Sequence, residues 1–258
     1  MIEEKKIVLQ TVDLVKVYNW GMENEFEALH KINFEVYAGE LVCFMGPSGS
    51  GKTTFINNIS TIDTPTQGKV YINGENVQTM SANKIGKFRN KNLGFIFQEF
   101  NVLDTHTMLE NIAMPLSLSH VNKAEIKVRV EAIAEKMGIS KHLNKYPKEC
   151  SGGQRQRAAI CRALITNPSI IVADEPTGNL DSKNTTEFME MISELNKENG
   201  VTIIMVTHDA FVASYSSRLV YIKDGDISTV LKREGKTRQE YFDEISELNT
   251  RESREALV

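Results

Sequence analysis

No stretch of this chain holds the roughly 18–20 consecutive apolar residues needed to cross a bilayer, so any role at a membrane has to come through a partner. Met1-Ile2-Glu3-Glu4-Lys5-Lys6 lacks the apolar core and small-residue cleavage site of a signal peptide, and no leader is expected. Cysteine is scarce. Cys43, Cys150 and Cys161 are odd in number and have no CxxC spacing, which argues against a disulfide framework or a zinc site. Low-complexity tracts, internal repeats and long linkers are missing too. Basic residues are in deficit, 30 Lys and Arg against 34 Asp and Glu, and the net charge of −4 speaks against a general nucleic-acid-binding surface. A cytosolic protein is expected.

What remains is an ordinary globular composition over 258 residues, enough for one large α/β domain or two small ones. Leu41 to Met45 is a short continuous apolar run, as a strand buried on both faces requires. It leads into Gly46-Pro47-Ser48-Gly49-Ser50-Gly51-Lys52-Thr53, and Thr53 to Ile59 then reads as helix. Strand, glycine-rich loop and helix together make a P-loop. Its glycines let backbone N–H groups wrap phosphates, Lys52 brings a point charge, and the Thr53 hydroxyl can ligate Mg²⁺.

Around this unit the periodicity predicts strands over Ile7 to Val17, Phe34 to Val36, Lys69 to Ile72 and Leu93 to Phe97. Ser81 is placed to cap a short basic helix reaching Lys91. Helices follow over Thr107 to Leu118, Asn122 to Met137 (Asn122 and Glu125 forming a capping pair, Gly138 as the stop) and Ser151 to Thr166. The α/β pattern then resumes with strand Ile170 to Ala173, helix Ser182 to Asn199 stopped by Gly200, strands Thr202 to Val206 and Leu219 to Lys223, the Asp224-Gly225 turn, and strand Ile227 to Leu231. Tyr241, Ile245 and Leu248 stand at i, i+4 and i+7, which suggests a last amphipathic helix packed on its own domain.

Two more features carry chemistry. The apolar strand Ile170 to Ala173 delivers Asp174 and Glu175. Asp174 is suited to the Mg²⁺ shell and Glu175 to polarising or deprotonating a water. Ser151 is a good N-cap for a helix opening Ser151-Gly152-Gly153-Gln154, where the glycines suit close approach to a ligand.

In this order the motifs resemble the ATP-binding cassette (ABC) ATPases from about Val8 to Leu231. The resemblance implies an α/β P-loop NTPase (RecA-like) core with an antiparallel β subdomain and an inserted helical subdomain. The ABC ATPase domain would span 7–231 with the helical insertion at about 99–168, and 232–258 would be a C-terminal helical extension. Gly46 to Thr53, with Thr54 beside it, looks like Walker A, Ser151 to Gln154 like the signature motif, and Ile170 to Asp174 like Walker B. Glu175 then corresponds to the general base, Gln98 to the Q-loop residue that contacts Mg²⁺ and the attacking water, Asp181 to the D-loop, and His208 to the switch histidine. Tyr18 lies where the family stacks an aromatic on adenine, with Trp20 as the alternative, and Cys150 stands where the family usually has leucine.

The resemblance further implies ATP and Mg²⁺ as cofactors and a head-to-tail homodimer with each ATP between Walker A of one chain and the signature of the other. The chain would lie peripherally on the inner face of the cell membrane, bound to an integral membrane permease, with neither nucleic acid nor membrane insertion involved. Ala173-Asp174-Glu175-Pro176-Thr177-Gly178-Asn179-Leu180-Asp181 and Glu110 to Leu116 look like the MacB/LolD-type branch. Within it, Ile59-Ser60-Thr61-Ile62-Asp63 resembles the bacitracin and peptide-antibiotic resistance (BceA-type) transporters. That implies export or detoxification of antimicrobial peptides. A lipoprotein-release or macrolide-type exporter and an ABC importer are the alternatives, with a soluble non-transport ABC ATPase behind them.

Overall fold

Apolar alternation along the first strands is strong enough to pair them but is broken midway in each. The computed structural model describes residues 6–255, so of the N-terminal segment read for a leader only Lys6 lies within it. β1 (Ile7–Tyr18) pairs antiparallel with both β2 (Phe26–Tyr37) and β4 (Gln67–Ile72), and β4 carries the two-residue β5 (Glu75–Asn76). β2 is far longer than Phe34 to Val36. Asp13 (φ 46°) and Lys31 (φ 47°) both adopt left-handed backbone and the β1–β2 register shifts between Thr11 and Leu14. Asn33 bridges the irregularity by accepting from the Asp13 N–H and donating to its carboxylate, both at 3.0 Å. Bulges of this kind interrupt the period of two by which strands are read.

The second sheet has the order β10-β9-β3-β8-β7-β6. β3 (Leu41–Met45), β6 (Leu93–Phe97), β7 (Ile170–Asp174), β8 (Thr202–Val206) and β9 (Arg218–Lys223) are parallel, and β10 (Asp226–Lys232) returns antiparallel through the Asp224-Gly225 turn. Their continuous apolar runs feed two cores at once. Leu41, Cys43 and Met45 point into one, whereas Val42 and Phe44 point into the other, which lies towards the antiparallel sheet. α1 (Lys52–Ile59) is held in that second core by Phe55, Ile56 and Ile59. The Phe44 ring centroid lies 4.9 Å from Phe55 and 5.3 Å from Phe34, so the helix behind the glycine loop is locked to both sheets. Burying each such side chain is worth about 1.5–3 kcal/mol.

The other core is covered by helices. α2 (Ala82–Asn92) is the exception, placing Phe88 in the core shared with α1, and begins after Ser81, whose side chain makes no capping bond. α3 (Met108–Leu118) has a full capping box between Thr107 and Glu110. α4 (Lys123–Lys136) is capped by Asn122, which accepts from the Ala124 N–H. Glu125 does not complete the expected pair, because its carboxylate is drawn to Arg129 one turn on. Gly138 (φ 67°) and Gly200 (φ 64°) do end their helices in the left-handed conformation. α5 (Gly152–Leu164) packs against both α3 and α4. α6 (Ser182–Asn199) and the short α7 (Ala210–Ala213) complete this side, and α8 (Arg238–Glu255) buries Tyr241, Ile245 and Leu248 in the same core.

Candidate active site

Four neighbouring parallel strands end at one level. Phe97 of β6 pairs with Asp174 of β7, Asp174 with Val206 of β8, and Val206 with Phe44 of β3. Gln98, Glu175 and Thr207-His208 follow these positions directly, and the Gly46 loop follows one residue later, after Met45. Ligands of open α/β sheets bind at the carboxyl ends of strands, and here one edge gathers nearly every candidate drawn from the sequence.

The glycine loop is shaped by its neighbours. A Cβ on Gly46 (φ 150°) would lie 2.0 Å from the Ile222 carbonyl oxygen, and one on Gly51 (φ 100°) would lie 2.7 Å from that of Ala28. Gly51 is the N-cap of α1 and has no side chain with which to cap it. The first N–H groups of α1, with the positive end of its dipole, are thus open to an anion. Lys52 Nζ donates to the Gly46 and Pro47 carbonyls at 2.8 and 2.7 Å. Burial lowers the Lys52 pKa, and the nearby Glu175 and Asp174 carboxylates oppose that shift.

Asp174 is half-buried at the end of β7, and burial pushes its pKa up, helped by Glu175 and resisted by Lys52. Glu175 would face away from Asp174 if the strand simply continued. It adopts φ 48° instead, its N–H donating to Val206 at 3.0 Å and its carbonyl accepting from Gly178 at 3.1 Å. That left-handed step is strained for a non-glycine residue, and it re-aims the carboxylate. Glu175 Oε2 meets His208 Nδ1 at 2.6 Å. Gln98 lies over Gly178, where an added Cβ would stand 2.8 Å from Nε2, and its carbonyl accepts from Asn179 at 3.5 Å. Tyr18 reaches α1 from the end of β1, its hydroxyl 3.4 Å from Thr54 Oγ1 and from Asp63 Oδ2. The Thr53 side chain is exposed on the first turn of the same helix.

These groups test the fit of Mg²⁺. Among the described residues no cluster of three or more His, Cys, Asp or Glu side chains could hold a metal ion. A magnesium ion bound with a nucleotide does not need one, since one or two carboxylates suffice beside phosphate, water and neutral oxygens. Asp174 with Thr53 and Gln98 supplies such a donor set.

A carboxyl whose pKa rises on folding holds its proton more tightly in the folded chain. Stability therefore falls as pH rises from the unfolded value through the folded one, and the full cost is in place above both. Asp174→Asn should accordingly raise the melting temperature of the nucleotide-free protein by a few degrees near neutral pH, read by scanning calorimetry. An unchanged or lower value would mean that the Lys52 attraction outweighs burial.

The Ser151 to Gln154 turn lies apart. Ser151, Gly152, Gly153, Gln154, Arg157, Asn179 to Asp181, Asn184 and Glu187 line a cleft of about 350 Å³ that includes no residue of the Gly46 loop. Ser151 and Gln154 form a reciprocal capping box, with Ser151 N–H donating to Gln154 Oε1 at 2.9 Å and Gln154 N–H to Ser151 Oγ at 3.3 Å. Asp181 caps α6, both its oxygens accepting from Asn184 at 2.8 Å, and these bonds hold its carboxyl below the usual range. Gly152 and Gly153 have no internal reason to be glycine. An added Cβ would meet nothing within 4 Å at Gly152 and only Asn184 Oδ1 at 3.8 Å at Gly153.

One contributor escaped the sequence reading. The Asp224-Gly225 turn forms the floor of the glycine loop, with Gly225 N–H donating to Ser50 at 3.0 Å and a Gly225 Cβ that would lie 2.9 Å from the Ala28 oxygen. An Asp-Gly pair signals a turn, but nothing local says what the turn supports.

Comparison with known proteins agrees with this geometry. The family described as ABC transporter matches residues 29–178. The ABC transporter ATP-binding protein YxdL of Bacillus subtilis (strain 168) is 50% identical over 85% of this chain and 85% of its own length. The bacitracin export ATP-binding protein BceA of Halalkalibacterium halodurans is 44% identical over 92% of this chain and 94% of its own. Among solved structures, a dimeric post-hydrolysis state of the ATP-binding cassette MJ0796 bound to ADP and Pi superimposes with a TM-score of 0.79 at 38% identity, over 88% of this chain and 99% of that one. Phosphate loop, carboxylate pair and relatives agree, and this chain belongs to the ABC transporter family as an ATP-binding, ATP-hydrolysing cassette.

Proposed function

We propose that the chain works as a head-to-tail homodimer on the inner face of the cell membrane, driving a separate integral permease that exports or detaches antimicrobial peptides. The observation that carries the catalytic part is the 2.6 Å pair between Glu175 and His208, beside Lys52 and Asp174 at the sheet's carboxyl edge.

Tyr18 takes the adenine, and Gly46 to Thr54 wraps the phosphates through backbone N–H groups, with Lys52 turning from the loop carbonyls to the β- and γ-oxygens. Mg²⁺, held by Thr53, Asp174 and Gln98, would neutralise developing charge on the phosphates. Glu175 accepts the proton of the attacking water. His208 donates from Nδ1 to one carboxylate oxygen, leaving the other to face that water, and as the imidazolium it can also donate from its second nitrogen to the γ-phosphate. Phosphoryl transfer asks mainly for positioning and charge neutralisation, which these groups supply.

Ser151 to Gln154 with Asp181 serves the nucleotide of the partner chain. Support comes from the glycines that nothing within the chain requires, and from the dimeric form of the similar cassette. The separate permease is suggested by the transporter relatives, and no described helix of this chain is long and apolar enough to cross a membrane. The peptide substrate is suggested by the printed role of the BceA relative. Deleting the gene should make cells several-fold more sensitive to bacitracin-like peptides, with resistance restored by the wild-type gene but not by Glu175→Gln. Unchanged sensitivity across cell-wall-directed peptides would sink the substrate assignment.

A further inference from the structure

Beyond Gln98 the chain passes through two consecutive left-handed residues, Phe100 (φ 61°) and Asn101 (φ 45°). Asparagine tolerates that conformation, at more cost than glycine, whereas it is unfavourable for a bulky aromatic. The Phe100 ring is buried, so the loop cannot relax without withdrawing it. Arg162 sits against this kink. Its Nη2 donates to the Phe100 carbonyl at 2.6 Å and its Nη1 to that of Asn101 at 2.5 Å. The guanidinium is half-buried, and desolvation lowers its pKa, so its charge has been drawn out of water to reach the two carbonyls. Such a fork fixes both position and direction, which a lysine ammonium cannot do.

The far end of the same segment is pinned independently. Buried Asn111 accepts from the Leu103 N–H at 2.7 Å and its amide faces the Leu103, His106 and Thr107 carbonyls at 3.0–3.1 Å. The stretch from Gln98 to Thr107 is therefore anchored at two points. One of them belongs to α5, the helix that opens with Gly152 and is capped by Ser151. Eleven residues of helix separate Ser151 from Arg162, about 16 Å along one rigid element.

We propose that Arg162 is a positioning residue that ties the Gln98 loop to the helix carrying Ser151 to Gln154. One end of α5 would complete the partner's nucleotide site while the other grips the loop reading the chain's own. A change in Gln98 as nucleotide is bound or hydrolysed then shifts the pose of α5, and the two sites of a dimer act together. This inference rests on the assignments of Gln98 and the Ser151 face proposed above.

The test compares wild type with Arg162→Gln, Arg162→Lys, Asn101→Gly, the Arg162→Gln/Asn101→Gly double variant and Gln98→Ala, all as full chains with Mg-ATP. Arg162→Gln should lower kcat about tenfold, in keeping with a small displacement of a positioned group. ATP affinity should stay within about twofold, and the Hill coefficient for ATP should fall towards 1. Because glycine holds positive φ without strain, Asn101→Gly should recover about threefold of the loss. Unchanged kcat and cooperativity in Arg162→Gln overturns the tie, as does a loss that Asn101→Gly leaves untouched. If Arg162→Gln does not fold, Arg162→Lys with and without Asn101→Gly replaces it and is read in the same way. Gln98→Ala separates the two levels. Full turnover in that variant would undo the assignment of Gln98, whereas an impaired Gln98→Ala beside a normal Arg162→Gln would undo only the role of Arg162.

Discussion

Glu175→Gln is expected to lower ATP turnover by about 10²–10⁴-fold, the range of a lost general base, while ATP still binds and holds the chain as a dimer in size-exclusion chromatography. The substitution keeps shape and removes charge. A glutamine can still accept one hydrogen bond from His208 and can occupy the same left-handed turn, so the phosphate loop and the Asp174 strand end stay in place. What it cannot do is take a proton from water. Turnover stops after closure and before hydrolysis, which makes the closed species the one that accumulates. Near-normal turnover together with a persistent monomer would place the base elsewhere. His208 is the group to examine next, since it is the one bonded to Glu175.

Mixing two inactive variants should restore activity. Lys52→Ala removes the charge proposed to cradle the phosphates of a chain's own nucleotide, and Gly153→Asp fills the open first turn of α5 with a side chain bearing like charge to phosphate. In the proposed head-to-tail dimer each variant alone contains two damaged sites and should retain about 1% of wild-type activity or less. A mixed dimer pairs the intact glycine loop of the Gly153→Asp chain with the intact Ser151 face of the Lys52→Ala chain. One of its two sites is whole. Recovered ATPase activity, rising with the fraction of mixed dimer measured by differential tagging, is the expected outcome. If mixed dimers form and stay inactive, either the sites are not shared across chains or both must fire together.

The parts of the molecule that could be read in advance are those coded by near neighbours. The five apolar residues of β3, the N-cap at Ser151, and the glycine stops at 138 and 200 each follow from a few adjacent side chains. What escaped was decided by distant partners. The full extent of β2 depends on Asn33 bridging to Asp13 across the bulge. Gly225 matters because Ala28 and Ser50 lie against it. Glu125 was misread as a cap because Arg129 competes for it. At the site, Asp174 and Glu175 were recognisable as a pair. The left-handed turn that points Glu175 towards His208 was not, since it is imposed by Val206 on the next strand.

The common level at which β3, β8, β7 and β6 end makes the sheet a comb whose teeth must stay equal in length. Adding or deleting one residue within any of these strands would advance or retract its terminal group by about 3.3 Å and exchange side chains between the two cores. The loops that directly follow these strands are held as tightly, whereas the connections away from this edge have no such constraint. Tolerance to insertions should therefore change abruptly along this chain, near zero inside the four strands and generous in the surface connections. A transposon-scanning library scored for ATPase activity would draw that boundary residue by residue.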